Sequence, residues 1–145
     1  MKKITTFIAA LTLSGCAAPT ITTLPVSEDT NENGSVVLVR NEPLQILSPN
    51  HYVHIDGNII ANVSQTEVKE LPLKSGSYTY TTSYGFFSNT QYELIIKPHT
   101  KAYLILMNKN VLEVTEEGYK ECQSQPFLTE QVCLMQHLKK FTIVK

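Results

Sequence analysis

The sequence predicts a mainly β domain, a sandwich with one C-terminal helix, and three observations predict it. Runs rich in Val, Ile, Thr and Tyr recur about every ten residues between Ser35 and Thr115, divided by Gly, Pro, Asn and Asp clusters, which is the spacing of an all-β sandwich. Asp56-Gly57 stands between two such runs, and that pair suits the positive φ angles of a two-residue hairpin turn. From Leu128 the apolar residues shift to helical spacing.

The chain opens MKKITTFIAALTLSGC. Two lysines, the mostly apolar residues 4–13 and the small Ser14 and Gly15 follow the charged, apolar, small order of a secretory signal. Ten helical residues reach about 15 Å, half the hydrocarbon thickness of a bilayer, too short for a lasting span. A plain signal ends in Ala-x-Ala, whereas Leu13-Ser14-Gly15-Cys16 resembles the lipobox of bacterial lipoproteins. The resemblance implies that residues 1–15 are a signal peptide cut before Cys16. The Cys16 sulfur would carry a diacylglycerol, and the new amine would be acylated, as is usual in Gram-negative bacteria. Two or more chains anchor a protein stably where one does not. Ala17 stands where the family's inner-membrane retention signal has Asp, so the implied destination is the outer membrane, with the domain in the periplasm. The plainer reading is an ordinary signal with an incidental cysteine.

Residues 16–34 read as the lipidated N-terminus and a flexible tether: AAPTITTLPVSEDTNENG (17–34) is rich in Thr, Ser, Asn and Pro and has no period. Eighteen flexible residues span about 25 Å. Without Lys2 and Lys3 the mature chain has 10 basic against 13 acidic residues, a net of −3. It has no basic run that would mark a nucleic-acid partner. No second apolar stretch approaches a transmembrane length, so the lipid would be the membrane attachment.

The domain is read as 35–145. Its strands are expected at SVVLVRN (35–41), LQIL (44–47), HYVHI (51–55), NIIANV (58–63), TEVKELPL (66–73), SYTYTTSYGFF (77–87), QYELIIK (91–97), KAYLILM (101–107) and VLEVT (111–115). A helix is expected to follow Pro126, with Thr129 as N-cap, Glu130 in the first turn and Lys139 and Lys140 in the last. Leu128, Val132, Met135 and Leu138 would share one side of it, and Cys133 would point elsewhere. FTIVK (141–145) is a candidate last strand.

With Cys16 lipidated, Cys122 and Cys133 remain, in an oxidising compartment. A disulfide is the default reading. It would contribute about 2–3 kcal/mol by closing a loop of about a dozen residues. Continuous helix would hold the two residues about 16 Å apart, so the backbone must turn between them, most naturally at Gln125-Pro126. Free thiols, or a metal pair with His137 nearby, are the alternatives.

Residues 48–49 and 53–57 (Ser-Pro and VHIDG), followed by LPLKSGSY (71–78), are similar to the layout of PEGA-type domains and of small uncharacterised bacterial lipoproteins. There a V-x-V-D-G hairpin precedes an L-x-P-G-x-[HY] turn. Ser75 stands where that pattern has Pro. Over residues 35–107 the resemblance implies a transthyretin-like or immunoglobulin-like sandwich on the cell envelope, and it carries over no catalytic residue.

Other chemistry is thin. His51 and His54 are three apart, so on a regular strand they face opposite sides and cannot share one ion. His99 lies in a turn and His137 in the helix, without sequence partners for catalysis. Glu28, Asp29, Glu32, Glu116 and Glu117 read as solvated charge. Tyr78, Tyr80, Thr82, Tyr84 and Phe86 share a strand face, which reads as core rather than as an aromatic platform. Phe86 and Phe87 are adjacent and cannot both point inward, so Tyr84, Phe86 and Phe87 form the candidate binding loop. No nucleophile elbow, zinc-protease, phosphate-loop or dinucleotide fingerprint occurs. The expectation is a non-enzyme without metal or cofactor that tethers an envelope partner protein. A glycan- or peptidoglycan-binding module is the alternative, and an inhibitor of a secreted hydrolase a weaker one.

Overall fold

Asn33–Arg40, NGSVVLVR, forms strand β1, and every residue from Ser35 onward in it is buried. A strand that buries both faces belongs inside a layered structure, not at a solvated surface. The computed structural model describes residues 19–42, 49–84, 87–88, 90–107 and 110–139. The leader with Leu13, Ser14, Gly15 and Cys16, the runs at 44–47 and 141–145, and Phe86 lie outside them.

The strands after β1 fall close to expectation, except that the run read as one strand over 77–87 is two, because Phe87 folds back antiparallel onto Tyr84: β2 (His51–Ile55), β3 (Asn58–Val63), β4 (Glu67–Lys74), β5 (Gly76–Tyr84), β6 (Phe87–Ser88), β7 (Tyr92–Ile96), β8 (Lys101–Met107) and β9 (Asn110–Val114). They form two sheets. One has the order β4-β1-β8-β9; the other has the order β3-β2-β5-β6, with β7 also paired to β5. All pairings are antiparallel except β1 with β8. Between those two parallel strands the chain builds the whole second sheet.

Asp56-Gly57 makes the expected hairpin turn, with φ of 48° and 79°, the paired positive values of a type I′ turn. The Asp56 carboxylate accepts from the Thr79 backbone N–H (2.8 Å) and hydroxyl (3.1 Å), which fastens the turn to β5. At Gly34 the backbone passes so close to its neighbours that a Cβ would lie 2.5 Å from the Lys97 carbonyl oxygen. Only glycine fits there.

Val36 and Leu38 of β1, and Ala102, Leu104 and Leu106 of β8, face the second sheet and join Val53, Ile55, Tyr80 and Leu94 in one core. The intervening Val37, Val39, Tyr103 and Ile105 face the other way and form a second cluster with Cys122 and Leu134. Two helices supply that cover: α1 (Glu116–Cys122) and α2 (Phe127–Gln136). Tyr119 of α1 stacks on Tyr103 at 4.6 Å between ring centroids.

The C-terminal region therefore differs from expectation in three ways. Residues 116–122, from which only Glu116 and Glu117 were singled out, as solvated charge, are helical, because the Thr115 hydroxyl accepts from the Gly118 N–H (3.1 Å) and caps the segment. The following helix starts at Phe127, with Pro126 rather than Thr129 in the cap position, and Lys139 lies beyond its end. Its apolar side is turned outward: Val132 is 60% and Met135 58% exposed, while Glu130 and Leu134 are buried. The Cys122–Cys133 disulfide (Cα–Cα 5.6 Å) is the reason. It brings Cys133 to α1, so the side of the helix bearing 130, 133 and 134 faces in and the opposite side faces water.

Residues 22–33, expected as part of the tether, are held against the domain. The Thr22 N–H donates to the Ile59 carbonyl (2.7 Å) and the Lys74 N–H to that of Pro25 (3.1 Å), and Leu24 packs against the core. Asn33 exchanges two hydrogen bonds with the Ser27 backbone, and Asp29 caps the short 3-10 turn Thr30–Glu32. Residues 22–33 thus form a strap over the edges of β3 and β4. Ser, Asn, Asp and Pro serve linkers and tight turns alike, so composition alone does not separate the two.

Arg40 is wholly buried. Its guanidinium donates to Glu42 (2.6 and 3.0 Å) and to the Val63 carbonyl (3.0 Å), joining the end of β1 to the end of β3 in the other sheet. Removing one member of a buried pair strands the other charge, whereas replacing both can be neutral. Glu42→Ala is expected to cost about 3–5 kcal/mol in urea unfolding, and the double change Arg40→Met with Glu42→Leu to recover most of it.

Burial raises the carboxyl pKa of Glu130 above its usual 4.5, against the opposing hydrogen bond from Asn41. The folded state then holds this proton more tightly than the unfolded chain. Its contribution is greatest below the ordinary carboxyl range and is lost as pH rises through the folded value. Glu130→Gln should raise the Tm at pH 7 and leave it unchanged below about pH 4, as thermal unfolding across that range would show.

Candidate functional site

Strand β7 alternates cleanly. Leu94 and Ile96 are buried, while Ile95 is 56% exposed on the outward side with Glu93. Together with Lys97, these outward residues form one wall of a cleft of about 430 Å³. The other wall comes from the start of β8 (Lys101, Ala102), from β9 (Glu113), and from Thr115, Glu116 and Glu117 leading into α1, with Lys139 alongside.

Most charges in the cleft are held in place. Lys139 clamps β9: its ammonium lies 2.8 Å from the Glu113 carboxylate, and its backbone N–H donates to the Glu113 carbonyl at 2.9 Å. Lys101 pairs with Glu70 and Lys120 with Glu116, both at 2.7 Å. The hydrogen bond from Lys101, with a second from Ser35, lowers the Glu70 pKa. Glu93 accepts from the Ser77 hydroxyl at 3.0 Å. Lys97 and Glu117 carry no ion pair among the described residues, which leaves one charge of each sign facing outward. The two hydroxyls in the lining are already engaged, Thr100 with the Lys97 carbonyl and Thr115 as the α1 cap. Chemically, the cleft can bind through charge, hydrogen bonds and the Ile95 side chain.

The sheet edges differ in a way that bears on this cleft. The strap bonds to the β3 and β4 edges through Ile59 and Lys74. The β9 edge receives Thr115 N–H to His137 carbonyl (3.3 Å), the Lys139 bond and a bridge between Val114 and Leu138. Among the described residues, no such backbone bond covers the outer edge of Glu93–Ile96. Uncovered edges are templates for another strand.

The structure places the residues singled out from sequence as follows. Cys122 and Cys133 are bonded. His137 brings a ring nitrogen within 4.8 Å of both sulfurs, so the metal alternative would have three donors at one point; the bonded sulfurs are not thiolates and do not ligate as such. His51 is buried beside Val53 and Ile55, while His54 points away and shares a 2.9 Å hydrogen bond with Ser83. Partial burial lowers the His54 pKa. The expected opposition of the two rings therefore holds. His99 sits in the turn before β8 with φ of 56°. Tyr80 and Thr82 are fully buried and Tyr78 packs against the core, as expected for that face. Tyr84 and Phe87 pair across the β5–β6 hairpin, in the backbone register.

The β7 edge was not among the candidates read from sequence. Its signal is Ile95, an apolar residue at a position whose neighbours Glu93 and Lys97 mark the solvent face. No described helix is long and apolar enough to cross a membrane. No protein family, curated protein or solved structure matches the chain.

Lys139→Met leaves the buried Glu113 carboxylate without its ammonium and should destabilise by about 1–3 kcal/mol, towards the lower end because the lysine is partly in solvent. Hydrogen exchange should show the loss first in the β9 amides.

Proposed function

We propose that the protein is an outer-membrane lipoprotein, anchored through acyl chains on Cys16, whose periplasmic domain acts non-enzymatically as a tether for an envelope partner protein. The observation that carries the reading is Leu13-Ser14-Gly15-Cys16 directly behind a short apolar segment with a basic start. The domain is read as a sandwich of the transthyretin-like or immunoglobulin-like kind, extended by a helical layer on one outer face. Two sheets sharing a single core support that reading.

The partner is read as binding by strand addition along β7. Main-chain hydrogen bonds to an exposed edge give affinity, and side-chain contacts give specificity. Ile95, Lys97 and Glu117 supply the apolar and charged contacts at that edge. The alternative, a glycan or peptidoglycan module, places the ligand instead at Tyr84, Phe86 and Phe87.

Replacing Cys16 by Ser should move the protein from the membrane fraction to the soluble fraction, and mass spectrometry of the wild-type chain should show the lipid at Cys16. A photocrosslinking residue at Ile95 should trap one stoichiometric envelope protein in cells, and the same residue at exposed Val68 on β4 should not. In a second arm, Ile95→Lys should abolish co-purification of the trapped protein while leaving the Tm unchanged. Muropeptide binding that depends on Phe86 and Phe87, with no adduct at Ile95, would favour the alternative.

A further inference from the structure

The strap leaves a second concavity, of about 330 Å³, between itself and the sheet edges it covers. Its walls are Ile21 just ahead of the strap, Leu24 and Val26 on it, and Ile60, Leu71 and Pro72 on β3 and β4, with Thr22 and Thr23 between them. No charged side chain lines it. Ile21 is 53% and Val26 49% exposed, so large aliphatic side chains stand at its rim in water. Apolar surface gathered in one place marks a contact with something apolar.

Chain length says what lies nearest. The strap is fastened at Thr22 by its bond to Ile59. Four residues lie between Cys16 and Ile21, and the five steps from one to the other at full extension reach at most about 18 Å. A domain on so short a leash does not hang clear of its anchor. The face next to the leash stays within reach of the headgroups. No residue from Cys16 to Ser27 is charged, so nothing along that stretch resists the interface or depends on the charge of the lipid.

We infer that the groove rim formed by Ile21 and Val26 rests in the bilayer interface and fixes the orientation of the domain, turning the strapped β3 and β4 edges towards lipid. The inference depends on lipidation of Cys16. It adds a second, apolar contact beside the acyl chains, and two linked contacts hold a domain far better than either alone. It also assigns separate edges to separate partners: strapped edges to lipid, β7 to protein.

The chain contains no tryptophan, so one introduced indole reports alone. Ile21→Trp and, as a control, Met135→Trp on the exposed side of α2 are made in the full-length chain. Each mature protein is purified from membranes and reconstituted into vesicles of phosphatidylethanolamine and phosphatidylglycerol. The expected result is blue-shifted Ile21→Trp emission that lipids brominated near the headgroup quench and that added salt does not reverse. Met135→Trp should be quenched by aqueous acrylamide only. Lipid-bearing protein in which both indoles are equally open to acrylamide would overturn the inference and leave the anchor reading standing. A blue shift without quenching by brominated lipid, the sign of a protein covering the groove, would also overturn it. An unmodified Cys16 in the mass spectrum of the same sample would remove both readings together.

Discussion

Everything else in this fold follows from the pairing of β1 with β8. Both strands carry aliphatic or aromatic side chains on both faces, so the sheet they form cannot leave either face in water. One face is covered by the second sheet and the other by α1 and α2. Because the two strands run parallel, they cannot be joined by a tight turn. The connection between them is long, and its strands β2, β3, β5, β6 and β7 become the first cover. The segment after β9 becomes the second.

The two covers are secured differently. Strand ladders and a continuous apolar core hold the second sheet, with Arg40, Glu42 and the Val63 carbonyl as a polar tie between sheets. The helical cover is small. Helices of 7 and 10 residues are too short to be stable alone in water. A cap at Thr115, the Tyr103–Tyr119 stack and the disulfide keep them on the sheet. The bond also sets the roll of α2, which explains how Val132 and Met135 come to be exposed while Glu130 is buried.

The edges show a comparable division of labour. The strap and residues 137–139 supply backbone groups to the edges of β3, β4 and β9, and among the described residues no such bond reaches the outer side of Glu93–Ile96. Covering an edge in this way guards it against indiscriminate pairing, and Glu93–Ile96 lies instead beside charges of both signs. The strap has a second consequence. By taking up residues that would otherwise be linker, it ties the chain from Thr22 onward to the domain.

The sequence by itself determined most of the described strands, the Asp56-Gly57 turn and the cysteine pair. Each of these rests on short-range chemistry: alternation along a strand, positive φ at two positions, a turn between two sulfurs. It also contained, in the unbroken apolar runs VVLV and YLILM, a sign that two strands would be buried on both faces, a pattern indistinguishable locally from an ordinary core strand. The parallel pairing of β1 and β8, the inward face of α2, the burial of Arg40, the strap and the open edge at Ile95 were decided only by tertiary structure. Each depends on which distant surface a residue meets, and no local pattern of side chains encodes that meeting.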